Sequence, residues 1–136
     1  MDELEAVVRA NHEVFMLTGD RIATVLADHG LTHATAQALC AIDPAEEPPS
    51  MKAVAGRLHC NAPNLSFVTD QLVGRGLVTR VADPRDRRSR VLVLTDAGRR
   101  VRADVMRATL RQTPLAGLDE ADLKTLAAIL DRALHG

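Results

Sequence analysis

The sequence predicts a mainly α-helical chain carrying one small β-hairpin. Apolar residues recur at helical spacing through most of the 136 residues. The period falls to two only at residues 77–81 and 90–94. Between those two runs, Ala82-Asp83-Pro84-Arg85-Asp86-Arg87-Arg88-Ser89 is charged and has no apolar anchor, as a solvated hairpin loop requires.

A long first helix is expected over residues 4–27, with Leu4, Val7, Val8, Val14, Phe15, Ile22, Val25 and Leu26 on its apolar stripe. Gly30 stands where a helix C-cap is expected. Thr32 can cap a second helix that turns Ala36, Leu39, Cys40 and Ile42 to one side, and three prolines between Asp43 and Pro49 end it. Ser50 opens a short third helix with Met51, Val54, Ala55 and Leu58 apolar. After a break at His59 and Cys60, Asn61 caps a fourth helix whose Pro63 falls in the first turn, where a missing N–H is tolerated. That helix runs to about Arg75 with Leu65, Val68, Leu72 and Val73 inward, and Gly76 ends it.

Two short apolar helices joined by a tight turn read as a helix-turn-helix. A basic two-stranded ribbon directly after it reads as a wing. Thr95 or Asp96 then caps a fifth helix with Val101, Val105, Met106 and Leu110 on a stripe. Pro114 and Gly117 interrupt it, and Asp119 caps a last helix with Leu123, Leu126, Ile129, Leu130 and Leu134 apolar. The expected organisation is one winged-helix domain over residues 1–136. Residues 31–100 form the head, and residues 1–29 and 101–136 supply helices for dimerisation.

Composition narrows the function. Apolar residues make up 46% and charged residues 26%, which is globular rather than disordered. The longest run of Ala and large apolar residues, Leu126 to Leu130, is far short of the roughly 20 residues of a membrane span, so no membrane partner is expected. Asp2, Glu3 and Glu5 give the start of the chain the wrong charge for a signal or transit peptide, so the cytoplasm is the expected compartment. Phe15 and Phe67 are the only aromatic residues apart from histidine, which disfavours proteins that stack single-stranded bases. No phosphate loop, nucleophile elbow or zinc-protease motif occurs, so no enzyme is expected. Cys40 and Cys60 are not a C-x-x-C pair and read as reduced thiols.

Charge is segregated. Residues 57–102 hold ten arginines against four acidic residues, whereas the whole chain has a net charge of −1. A basic middle between acidic flanks suits a polyanion-binding module, and equally a solvated arginine-rich surface.

Gly76-Leu77-Val78-Thr79-Arg80, Asp83-Pro84-Arg85-Asp86-Arg87-Arg88 and Leu94-Thr95-Asp96-Ala97-Gly98-Arg99 resemble the wing and fifth-helix start of the MarR family of bacterial transcription regulators. The similar region spans about residues 31–102, and the two ends match only in helical pattern and length. The resemblance implies a homodimeric winged-helix regulator, a repressor or an activator, that binds palindromic double-stranded DNA. The other reading is a winged helix used for protein assembly, which has no need of four arginines within residues 85–90.

If the fourth helix enters the major groove, Asn61, Ala62, Pro63, Asn64, Ser66 and Phe67 lie where base edges are reached. Asn61 also reads as a plain helix cap, Asn64 is the better base reader, and Phe67 is open between groove and core. The family often carries arginine or another polar residue at the position of Phe67, so this chain departs there. In the wing, Arg85, Arg87, Arg88 and Arg90 are candidates for DNA contact, and the resemblance implies that Asp86 orients a neighbouring arginine such as Arg88. Many family members bind aromatic acids between dimer helices and head, which makes His12, Phe15, Met16, Arg21 and His33 candidates for a small aromatic or anionic effector. His29 and His33 are four apart, but Gly30 falls between them; with Cys40 or His12 they compete weakly as a zinc site, and no metal or resident cofactor is expected. Cys40 lies on an apolar helix face and reads as an inert core thiol, and Cys60, beside the fourth helix, is the more interesting of the two.

Overall fold

A computed structural model describes residues 2–136. The elements follow in the order α1 (Glu3–Asp28), α2 (His33–Cys40), α3 (Met51–Leu58), α4 (Ala62–Gly74), β1 (Val78–Asp83), β2 (Asp86–Leu94), α5 (Asp96–Gln112), a single 3-10 turn (Pro114–Gly117) and α6 (Glu120–His135). Among the described residues the helices outweigh a single two-stranded antiparallel sheet. The mainly α fold with a hairpin wing is therefore as the sequence predicts.

Local chemistry sets the boundaries. Thr32 and Thr35 form a reciprocal capping box at the start of α2, and Asp119 caps α6 by accepting from the Asp122 backbone N–H at 2.8 Å. At the start of α5 the choice between Thr95 and Asp96 falls to Thr95, whose Oγ1 accepts from the Gly98 N–H at 2.9 Å. Thr95 also ties this helix to the chain before β1. Its Oγ1 donates to the Gly76 carbonyl at 2.7 Å and its N–H to the Leu77 carbonyl at 3.0 Å. Gly98 is required at this crossing, because a Cβ there would overlap the Leu77 carbonyl oxygen. Gly76 supplies the left-handed φ of 73° that ends α4 and starts the wing.

The chain divides into two compact units, Met1–Arg21 with Thr109–Gly136, and Ile22–Ala108. The second holds the core. Leu26, Leu39, Val54, Leu65, Leu72, Val78, Leu92 and Val105 are each at most 2% exposed, drawn from every helix of that unit and both strands. Each such side chain contributes about 1.5–3 kcal/mol by leaving water. The first unit holds the N-terminal part of α1, the 3-10 turn and α6, and no residue of α6 is buried in the single chain.

Two expectations are corrected. The hairpin loop expected over residues 82–89 is mostly strand: the ladder extends to Ala82↔Arg90 and closes at Asp83↔Asp86, leaving only Pro84 and Arg85 in the turn. The charged side chains concealed the strands, since an exposed ribbon needs no apolar face. Val73, expected inward, lies at the surface, 36% exposed, while Thr69 is fully buried in its stead. Leu65, Thr69 and Leu72 follow the i, i+4, i+7 line of one helix face, and Val73 falls one residue off it. On α1 only Ile22 and Leu26 of the expected stripe are buried in the single chain.

Candidate nucleic-acid interface

The site is built on α3, the turn after it, α4 and the wing. Ser50 Oγ accepts from the Ala53 N–H at 3.0 Å and starts α3. His59 ends it in the left-handed region, φ 51°, and is the only described non-glycine residue with positive φ. That conformation, with Cys60 N–H donating to the Ala55 carbonyl at 3.1 Å, reverses the chain within two residues. Asn61 then accepts from the Asn64 backbone N–H at 3.0 Å and caps α4. Leu65 and Leu72 anchor α4 in the core, leaving Ala62, Pro63, Asn64, Ser66 and Phe67 exposed along its first turns. Phe67 is 65% exposed, so it is a surface residue and not part of the core.

The wing follows directly. Asp83 Oδ1 accepts from the Arg85 N–H at 2.9 Å, and Asp86 Oδ1 from the Arg88 N–H at 3.0 Å. Asp86 therefore touches the backbone of Arg88 and not its guanidinium. Arg85, Arg87, Arg88 and Arg90 are all exposed. Among the described residues Arg87, Arg88 and Arg90 make no ion pair, whereas Arg85 Nη2 lies 3.0 Å from Glu47 Oε2. Arg80 on β1 pairs with Asp70 on α4, which sequence reasoning did not single out. The ten-residue separation of that pair gives no helical or strand spacing to notice.

His12, Phe15 and Met16 are exposed on α1, and Arg21 Nη1 donates to the Gln112 carbonyl at 2.9 Å. His33 is exposed as the first residue of α2. An open cavity of about 380 Å³ lies in the head, lined by Thr32 and Gln37 of the α2 region, by Leu58 of α3 and Cys60 of the turn, and by Asn64, Phe67, Val68 and Gln71 of α4. The spacing of Asn64, Phe67 and Gln71 at i, i+3, i+7 was the available signal for it.

His29 Nε2 lies 3.3 Å from Asp104 Oδ2, and Asp104 also pairs with Arg107. Among the described residues no three His, Cys, Asp or Glu side chains gather as a metal site. Burial pushes the Cys40 thiol above its ordinary pKa, against the opposing pull of Arg102. A thiol so placed is a poor nucleophile. Cys60 is half-buried and lines the head cavity.

Comparison with known proteins follows the same lines. Residues 31–89 match the model of the MarR family. A MarR-family transcriptional regulator from Rhodococcus sp. RHA1 is similar in structure, with a TM-score of 0.78 at 22% identity, covering 99% of this chain and 96% of that one. CouR from Rhodococcus jostii RHA1, solved with p-coumaroyl-CoA, gives a TM-score of 0.76 at 24% identity over 98% of this chain and 93% of that one. The transcriptional repressor CouR bound to a 23-mer DNA duplex gives 0.74 at 28% identity over 96% and 90%. No curated protein matches the sequence. Over residues 31–89 the chain is thus similar to the MarR family, and these solved structures share its fold.

Proposed function

We propose that this chain is a sequence-specific, DNA-binding transcriptional regulator that acts as a homodimer on a palindromic operator, as a repressor whose affinity a small ligand changes. The observation that carries this reading is the juxtaposition of α4 and the wing. A capped helix presents Asn64, Ser66 and Phe67 outward, and a hairpin ion-paired to that same helix presents four exposed arginines. In this reading Asn64 and Ser66 meet base edges in the major groove, and Phe67 offers an apolar contact to a thymine methyl. Asn61 caps the helix and leaves the first N–H groups turned to phosphate. Arg87 and Arg88 reach the flanking minor groove or backbone, where a narrow A·T-rich groove concentrates negative potential.

Homodimerisation is supported by unburied apolar side chains at both ends of the chain. Leu4, Val7, Val8, Leu123, Ile129, Leu130 and Leu134 are all exposed in the single chain, apolar surface that a second copy would cover. An effector of aromatic or anionic character is supported by the likeness to CouR, solved with p-coumaroyl-CoA. His12, Phe15, Met16, Arg21 and His33 remain the candidate contacts. A regulator of this kind works in the compartment that holds the DNA, and among the described residues no helix is long and apolar enough to cross a membrane. The experiment is a binding titration with an inverted repeat taken from the DNA upstream of the chain's own gene. One dimer per repeat is expected, and no preference for the repeat over random duplex would contradict the reading.

A further inference from the structure

We propose that Glu47 competes with DNA phosphate for Arg85, so that the wing tip carries a built-in brake on non-specific DNA binding. This rests on the wing being a DNA-contacting element. Arg85 occupies the hairpin turn, and Glu47 belongs to the α2–α3 linker thirty-eight residues earlier, with 3.0 Å between Arg85 Nη2 and Glu47 Oε2. Both side chains are largely exposed, 79% and 80%, so the pair is a surface contact that a phosphate can displace.

The linker is built to hold the carboxylate there. Asp43 accepts from the Ala45 N–H at 2.9 Å through Oδ1 and from the Glu46 N–H at 3.1 Å through its carbonyl, closing a turn. Pro48 and Pro49 follow Glu47 and restrict the backbone. The Pro49 carbonyl accepts from the Leu92 N–H of β2 at 2.9 Å, and Ser50 bridges Val91. Glu47 thus stands two residues before a clamp onto the wing itself. Its neighbour Glu46 is engaged separately, 3.4 Å from Arg57 Nη2, while Arg57 Nη1 donates to the Ala41 carbonyl at 2.7 Å. Two adjacent carboxylates therefore face two different arginines, and only Glu47 reaches the wing tip.

The chemistry follows from competition. A guanidinium already paired to a carboxylate gives less when it meets a phosphate, because the first pair must break or be shared. The unpaired carboxylate is then left facing a polyanion. The brake acts on every sequence alike, since phosphate contacts carry no sequence information. Its effect is to raise the weight of base contacts relative to charge.

The test is a double-mutant cycle on the full-length chain, with a random-sequence DNA duplex at low salt as probe. Glu47→Gln is expected to tighten binding about two- to fivefold, the range of an exposed ion pair. Arg85→Gln is expected to weaken it, and Glu47→Gln in the Arg85→Gln background to give no more than the small general-charge gain of Glu46→Gln. Glu46→Gln, which removes the same charge one residue away, is expected to give a smaller gain. An equal gain from Glu47→Gln with or without Arg85 overturns the competition and leaves general charge repulsion. No gain while Arg85→Gln still weakens binding also overturns it, yet leaves the wing as a DNA contact. If neither Arg85→Gln nor loss of Arg87 and Arg88 weakens binding, the wing reading itself falls and the brake with it.

Discussion

Asp70 on α4 and Arg80 on β1 form an ion pair that ties the exposed helix to the root of the wing. The same Arg80 Nη2 lies 3.5 Å from the Ser66 carbonyl oxygen, at the limit of a hydrogen bond. One side chain thereby bridges the two elements proposed to touch DNA, beside the core they share through Leu65, Leu72, Val78 and Leu92. Asp70 is 66% exposed, so the pair itself stabilises little. Arg80→Gln should cost at most about 1 kcal/mol in a urea titration. Its larger effect should be on preference for operator over random duplex, because helix and wing would no longer hold one spacing.

Gly98 tests the crossing of α5 over the chain before β1. Gly98→Ala sets a methyl group against the Leu77 carbonyl, a backbone atom that cannot rotate away. We expect a loss of about 1–3 kcal/mol, the usual cost of overpacking, read from the denaturation midpoint. Gly117→Ala, where a Cβ meets nothing within 4 Å, is the matched control and should be close to neutral.

Thr69 is fully buried, and among the described residues its Oγ1 has no hydrogen-bond partner. An unsatisfied buried hydroxyl costs roughly 1–3 kcal/mol. Thr69→Val keeps the shape and removes the polar atom, so it should raise stability by about 1 kcal/mol. A loss of stability would show that the hydroxyl does have a partner in solution.

Thr69 also shows where the sequence was legible and where it was not. The caps at Thr32, Ser50, Asn61 and Asp119 could be read because each depends on a residue three positions away. The helix-turn-helix and the wing were legible for the same local reason. Thr69 was missed because its place on the Leu65–Leu72 line is geometric while its chemistry reads as surface. The wing strands were underestimated because Arg87, Arg88 and Arg90 occupy ladder positions without an apolar face. Glu47–Arg85 and Asp70–Arg80 were invisible because they join elements distant in sequence.

The ends of the chain make a prediction about assembly. Leu4 and Leu134 are each 74% exposed, and Ile129 and Leu130 are nearly half exposed. Light scattering at micromolar concentration should give a mass near twice the 14.7 kDa chain. Ile129→Asp should shift the chain toward monomer and weaken binding to a palindrome more than to a single half-site. A wild-type monomer that binds a palindrome as one unit would contradict dimerisation through these helices.

On the proposed reading labour is divided, with α4 reading sequence and the wing supplying charge. The direct measurement is a set of titrations of Asn64→Ala and of Arg87→Gln with Arg88→Gln, on operator, single-base variants and random duplex at several salt concentrations. Asn64→Ala should relax specificity at one base pair per half-site, costing about 1–3 kcal/mol there and little on random DNA. The arginine changes should weaken every duplex and lower the salt slope by about one for each phosphate no longer neutralised. Equal weakening of all duplexes by Asn64→Ala would make Asn64 a phosphate or structural contact and remove base readout from this face of α4.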